Sequence, residues 1–389
     1  MTPHLSLAAP MLKIDSIRPV ETMGVYELCW CRSGKKYKWC HFRRDRQQPI
    51  NAYATEAKML AELREGFCSY PDPAADPCSS TIAKSHSVQK RGGLSAIAEN
   101  GHVLTVKPTI KELIKTDGHP QPRLVGVNNA SVFPGFCGKH DTSVFKAVEG
   151  KSLSLDENAA FLLSYRAIAY ESFAKQVQVK HIEILRETDR GRSFATQAAL
   201  QMMLCDMLAG VHLGLKDMAR WKGQFDERLI SGSRKGFHFT AVRFDGILPI
   251  VACCAFHPEF DFSGRALQDL GKDGVDMDHI ALTVTAFEDQ TVAVFGWIGD
   301  ETGPAQDLTN SFFELSDAEK ADALVRLLFI HAENLFIRPS WWDALPDSDK
   351  AALTALILSG TPIKMRNGAE MAGDARQIFS VKVAELVRN

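Results

Sequence analysis

Three cysteines and one histidine stand close together in the stretch CWCRSGKKYKWCHF, residues 29–42. The four side chains are Cys29, Cys31, Cys40 and His41. Three thiolates and one imidazole form a complete tetrahedral ligand set for zinc. Gly34 lies in the intervening loop, and a glycine there can adopt the positive φ that returns the chain toward the first ligands. Because no coordination position is left for water, the spacing predicts a structural zinc site and not a catalytic one.

A redox pair is the alternative interpretation of neighbouring cysteines. Such pairs have a C-x-x-C arrangement beside a βαβ pattern, whereas a single residue separates Cys29 from Cys31. The chain has nine cysteines, an odd number, and they are concentrated before residue 140. This distribution does not indicate a disulfide framework, and clustered cysteines in a reducing compartment indicate metal ligands.

Charge and hydropathy restrict the surroundings in which this chain works. Its 45 basic residues nearly balance its 47 acidic ones, so no protein-wide field attracts nucleic acid or an anionic membrane. The first residues do not have the pattern of a signal peptide, and no apolar run reaches the about 18 residues of a membrane span. We therefore expect a cytoplasmic protein that does not enter a membrane.

The stretch around the four ligands resembles the SEC-C motif, a small zinc-binding module attached to many unrelated bacterial proteins, the SecA translocation ATPase among them. The resemblance covers about residues 28–43 and rests on the C-x-C pair, the Ser-Gly-Lys-Lys-Tyr-Lys core and the final Cys-His pair. It implies zinc held by Cys29, Cys31, Cys40 and His41, in a module that serves for docking and not for catalysis. The whole chain also resembles bacterial SEC-C-containing proteins, and that resemblance implies no reaction.

Basic and aromatic side chains alternate through the same stretch. The basic ones are Arg32, Lys35, Lys36, Lys38, Arg43, Arg44 and Arg46, and the aromatic ones are Tyr37, Trp39 and Phe42. A surface of this composition suits phosphates and unstacked bases, so it predicts contact with nucleic acid or the ribosome, or docking of a protein partner. In the alternative interpretation the lysines are merely solvated and the aromatic rings pack the zinc knuckle.

A second region rich in cysteine and histidine lies between residues 68 and 140. Cys137-x2-His140 has the spacing with which two ligands on one turn reach the same zinc ion. Cys68 and Cys78 flank a proline-rich turn, and His86 follows in a short extended run. This region predicts a second metal site. The alternatives are a zinc-stabilised module without catalysis, or histidines that are ordinary core residues.

The order of residues between about 68 and 145 is similar to that of HNH-type nucleases, which are built on a treble-clef zinc scaffold. The resemblance implies zinc at Cys137 and His140, with Cys78 as a further ligand and Cys68 as an optional one. It also implies that His86 is a general base over a catalytic Mg²⁺ or Mn²⁺. Either Asn128 or Asn129 would orient that base.

The rest of the chain alternates helical and strand patterns. Capping boxes at Ser154–Glu157 and Ser316–Glu319 predict two helix starts, and a further long helix is expected over 193–227. Runs rich in β-branched and aromatic residues at 237–245, 247–256, 279–287 and 291–299 predict an antiparallel sheet. A last helix is expected over about 348–359 and another within 375–387.

These patterns predict an α+β protein in three parts. Residues 1–50 would form the zinc knuckle region, 51–150 a treble-clef-like Cys/His module, and 151–389 a helical domain with an antiparallel sheet. The leading hypothesis is a zinc-binding bacterial adaptor that contacts nucleic acid, the ribosome or a protein through the knuckle. The alternative hypothesis is a diverged HNH-like metal-dependent nuclease, with bacterial defence as a role.

Overall fold

The structure is a computed structural model that describes residues 17–107, 109–116, 119–150, 153–270, 275–360, 365–373 and 378–389. The helices in these ranges are α1 (Ala52–Glu65), α2 (Ser95–Ile97), α3 (Ile110–Lys115), α4 (Gly138–Phe145), α5 (Glu157–Leu185), α6 (Phe194–Ser231), α7 (Pro304–Glu314), α8 (Asp317–His331), α9 (Pro339–Ala344), α10 (Asp347–Ile357) and α11 (Gly368–Ala372). The strands are β1 (Ser85–His86), β2 (His102–Thr105), β3 (Arg123–Gly126), β4 (Val132–Phe133), β5 (Phe237–Phe244), β6 (Ile250–Phe256), β7 (Ile280–Phe287), β8 (Gln290–Ile298), β9 (Leu335–Ile337) and β10 (Val383–Arg388).

Contacts between residues divide the chain into two compact units. The first contains the described residues up to Leu63 together with Ala174–Lys216, and the second contains Arg64–Phe173 and Asp217–Asn389. Each of the long helices α5 and α6 contributes residues to both units. The domain boundaries expected near residues 50 and 150 stay a prediction.

An eight-stranded antiparallel sheet forms the centre of the second unit. Its order is β10-β5-β8-β7-β6-β9-β2-β3, and a separate two-stranded sheet pairs β1 with β4. The prediction of a mixed α+β fold with an antiparallel sheet is therefore confirmed. The turn between β7 and β8 has positive φ at both Glu288 and Asp289, as a two-residue type I′ hairpin requires.

Both faces of the central strands are covered. All residues of β7 are buried, and apolar residues of β6, β7, β8 and α8 belong to one hydrophobic core. On the other face Thr283 Oγ1 donates a hydrogen bond to the carbonyl oxygen of Leu163 in α5, at 3.3 Å. The sequences of these strands are therefore almost continuously apolar. They lack the alternation of polar and apolar residues that is typical of a half-exposed sheet.

Two of the local predictions fail at element ends. Helix α5 begins at Glu157, and the side chain that caps it is Asp156, whose Oδ1 accepts from the amide of Ala159 at 2.8 Å. Ser154 is thus not the cap. The helix expected within 375–387 is not found in its described part, where strand β10 (Val383–Arg388) begins and pairs with β5, and residues 375–377 lie outside the described residues. The capping box at Ser316 and Glu319 is confirmed.

Helix α6 is the described helix that is long and apolar enough to cross a membrane. Its most apolar window has a mean hydropathy of 1.4, and 17% of that window is buried. One such helix is weak evidence, because an amphipathic helix of a globular protein passes the same test. The absence of a membrane contact stays an expectation.

Close packing of α5 on the sheet makes Gly296 sensitive to substitution. A Cβ at this position would overlap Ser164 Oγ and would lie 3.0 Å from Ser164 Cβ and 3.1 Å from Phe237 Cε2. We expect Gly296→Ala to lower the free energy of unfolding by about 1–3 kcal/mol, as overpacked cores do. Gly299→Ala is the matched control, since nothing lies within 4 Å of its Cβ. Urea denaturation of both variants checks this, and equal midpoints would contradict it.

Candidate metal centre

The four residues of the N-terminal cluster converge in the first unit. Nδ1 of His41 lies 3.2 Å from the Sγ atoms of both Cys29 and Cys40, and Cys31 Sγ lies 3.5 Å from Cys40 Sγ. All four potential ligand atoms lie within 4.8 Å of one another, and all four residues are buried. Zinc–ligand bonds of about 2.0–2.3 Å require ligand atoms to be separated by about 3.3–3.8 Å, so this donor set fits one zinc ion.

The local backbone accounts for this convergence. Gly34 has φ +74°, which confirms the turn expected there, and the amide of Cys29 donates to the carbonyl of Lys35 at 2.9 Å. A short 3₁₀ turn over Tyr37–Trp39 follows and delivers Cys40, whose amide donates to the carbonyl of Tyr37. The returning chain thus places its last two ligands beside the first two.

A buried carboxylate holds the imidazole of His41 from the other side. Asp189 is fully buried, and its Oδ2 lies 2.9 Å from His41 Nε2 and accepts from Gln201 Nε2 at 2.8 Å. Its second oxygen accepts from Arg44 Nε. This contact directs Nδ1 toward the sulfur atoms, as the carboxylates behind zinc-binding histidines do.

Charged groups of both signs lie around the cluster. Burial alone would raise the pKa of Asp189, but the hydrogen bond from His41 and the charge of Arg44 outweigh it and lower that pKa. Arg186 donates to the backbone carbonyl of Cys31 and is buried as well. Three thiolates and Zn²⁺ would carry a net charge of −1, and Asp189 carries another −1. The two buried guanidinium groups beside them also pair with Glu187 and Glu183. Sequence reasoning missed Asp189 and Arg186, because no local pattern links them to the motif.

The exposed basic and aromatic side chains of the motif differ in part from those expected. Arg44 and Tyr37 are buried, and Tyr37 donates its hydroxyl to the carbonyl of Glu21 at 2.9 Å. Arg44 therefore stabilises the metal cluster and does not reach a partner. Tyr26 joins the surface instead, because it is 67% exposed, and Trp39 is 73% exposed.

The second predicted ligand group also converges. Its members are Cys68, Cys78, Cys137 and His140, whose ligand atoms all lie within 4.8 Å of one another. Cys68, which the sequence left optional, is part of this group. Among the described residues, two clusters contain three or more side chains that could hold one metal ion, and both clusters are rich in thiols. Mg²⁺ and Mn²⁺ prefer oxygen ligands, so neither cluster suits them.

The residues expected to perform nuclease chemistry are placed differently. His86 lies in β1, its Nε2 is buried without a hydrogen-bond partner, and burial lowers its pKa. Asn128 accepts a hydrogen bond from Lys90 Nζ at 2.5 Å, and Asn129 is exposed. His86 belongs to neither thiol-rich cluster. The structure thus does not show the solvent-accessible catalytic histidine that the HNH-like resemblance implied.

Comparison with known protein families gives one finding. Residues 27–43 match the family model of the SEC-C motif. This chain carries a SEC-C motif. The match covers the first metal cluster and not the second, and it gives no support to the HNH-like resemblance. No curated protein and no solved structure matches the chain.

Proposed function

We propose that this chain is a zinc-stabilised bacterial adaptor of the cytoplasm whose SEC-C motif contacts nucleic acid, ribosomal RNA included. The observation that supports this proposal is a pair of lysines set beside exposed aromatic rings. Lys38 Nζ lies 5.4 Å from the ring centre of Tyr26 and 5.3 Å from that of Trp39. Lys36 Nζ lies 5.9 Å from the ring centre of Tyr26. We call these four residues the basic aromatic surface.

The metal cluster gives this surface a fixed base. The four residues before Cys40 include Lys36, Lys38 and Trp39. The amide of Lys38 donates to the carbonyl of Val25 at 2.8 Å. That bond joins the lysine-bearing turn to the segment that carries Tyr26. Because the backbone is held by zinc ligands and hydrogen bonds, the exposed rings lose little conformational freedom when a base stacks on them.

The composition of the surface suits single-stranded nucleic acid. An exposed aromatic ring stacks on an unpaired base with about 1–3 kcal/mol and tolerates any sequence. The ammonium groups neutralise neighbouring phosphates and release counterions, which makes binding depend on salt. A net charge of −2 supplies no attraction from the rest of the chain, so the affinity has to come from this surface.

Charge reversal on the surface tests the proposal. We expect Lys36→Glu with Lys38→Glu to weaken binding to single-stranded RNA at least tenfold at low salt. The slope of log K against log salt should fall by about 1.4, since each lost phosphate contact removes about 0.7. Fluorescence anisotropy with a labelled oligonucleotide, repeated over a salt series, measures both quantities.

A matched control has the same change in net charge. Lys58→Glu with Lys216→Glu reverses two exposed lysines of the same unit and should bind as the unsubstituted chain does. Trp39→Ala should weaken binding by about 1–3 kcal/mol while leaving the salt slope unchanged, because it removes stacking and not charge. Absence of binding by the unsubstituted chain to RNA, DNA and ribosomes would reject nucleic acid as the partner and favour a protein.

A further inference from the structure

We infer that the second unit contains its own structural zinc site, formed by Cys68, Cys78, Cys137 and His140. This site lies outside the SEC-C motif, and the inference does not depend on the nucleic-acid proposal. It would make the chain a protein of two zinc ions, one in each compact unit.

The donor atoms surround one point. His140 Nδ1 lies 3.2 Å from the Sγ atom of Cys137, 3.3 Å from that of Cys68 and 3.7 Å from that of Cys78. These separations are close to the about 3.3–3.8 Å expected between ligands of a tetrahedral zinc ion. Four protein ligands leave no open position for water, so the site is structural.

The surroundings of His140 repeat those of His41. Its Nε2 lies 3.3 Å from Oδ2 of Asp76, as His41 Nε2 lies beside Asp189. Tyr70 stacks on the His140 ring at 3.8 Å between ring centres, and Trp30 packs on His41 at 4.5 Å. His140 itself is fully buried. The same two contacts, a carboxylate at Nε2 and an aromatic ring, therefore orient both imidazoles with Nδ1 toward the thiols, although the two sequence spacings are unrelated.

The segment that carries the ligands has little regular structure of its own. Between α1 and the two-residue strand β1, the chain docks on residues 134–138 through backbone hydrogen bonds. Ser69 donates to Gly135 at 2.8 Å, and Ala83 donates to Phe136 at 2.8 Å. Cys68 and Cys78 lie along this segment, while Cys137 caps α4 and His140 lies in its first turn. A metal ion bound by all four would join the loop to the helix.

Metal analysis of the full-length chain tests the inference. Mass spectrometry of metals in the purified protein should give two zinc equivalents per chain. Cys78→Ser with Cys137→Ser should leave one, Cys31→Ser with Cys40→Ser should also leave one, and the quadruple variant should leave none. Cys205→Ser is the matched control and should keep two, because Cys205 belongs to neither ligand group.

The variants also separate the alternatives. If Cys78→Ser with Cys137→Ser fails to fold, the Cys31→Ser, Cys40→Ser variant decides, because the second cluster is the complete ligand group that remains among the described residues. One zinc in the unsubstituted chain, retained when Cys78 and Cys137 are replaced, would overturn the inference. So would two zinc ions that both survive that replacement, or a disulfide among the three cysteines found by thiol titration of the denatured protein.

Discussion

Replacing Cys31 and Cys40 by serine is expected to remove zinc from the SEC-C motif and to unfold the segment around it. The hydrophobic cluster of this segment contains six buried residues, Ile17, Cys29, Trp30, Cys31, Tyr37 and Cys40. Half of them are the proposed ligands, and five partly buried apolar residues pack against the cluster, so a bound metal would add to a small core. Structural zinc contributes about 10–16 kcal/mol to the folding of zinc-finger peptides, far more than so few apolar side chains supply.

Amide hydrogen exchange by mass spectrometry measures this result directly. In the double variant we expect peptides covering residues 24–44 to exchange at the rate of an unfolded chain, while peptides from β7 and β8 stay protected. The Cys205→Ser control should exchange as the unsubstituted chain does. Protection of residues 24–44 that survives the double substitution would show that zinc is not what holds the motif together.

Replacing Asp189 by alanine is expected to lower both the stability of the same site and its affinity for metal. It removes the buried carboxylate that accepts from Arg44 Nε, although Glu187 still lies 3.4 Å from Arg44 Nη2, and breaking a buried ion pair costs about 3–5 kcal/mol. It also frees His41 Nε2, and loss of the residue that orients a ligand lowers metal affinity about 10–100-fold. Asp189→Asn keeps an acceptor for His41 without the charge, so we expect an intermediate effect.

Asp45→Ala serves as the control for this substitution. Asp45 is exposed and lies in the same segment, and its removal should change stability by less than about 0.5 kcal/mol. Competition with a zinc-binding dye measures the affinity, and urea denaturation measures the stability. Equal values for the Asp189→Ala and Asp45→Ala variants would contradict the role of the buried carboxylate.

Local patterns in the sequence were sufficient for the SEC-C motif and for four of the eight strands of the sheet. The ligands and the turn at Gly34 lie within one short stretch, where spacing alone determines geometry. The runs that became β5, β6, β7 and β8 carry β-branched residues and recognisable turns, so their structure is locally encoded.

The features that the sequence did not reveal depend on contacts between distant residues. Asp189 is 148 positions from His41, and an acidic residue in a helical region carries no sign of its partner. Strand β10 is half exposed at the edge of the sheet and contains residues that also suit a helix. Pairing with β5 decides its structure, because tertiary contacts override weak local preference.

The distance along the chain between His41 and Asp189 also separates the times at which the two residues are synthesised. At about 5–20 residues per second, a ribosome needs about 7 to 30 seconds to make the 148 residues between them. During that interval the knuckle has its thiols and its imidazole, and Nε2 of His41 still lacks the carboxylate of Asp189. Arg186 is made shortly before Asp189, and Gln201 follows Asp189 by 12 residues. Biosynthesis thus separates the arrival of the proposed ligands from the arrival of their partners, and a metal bound there would have all of these contacts only late in translation.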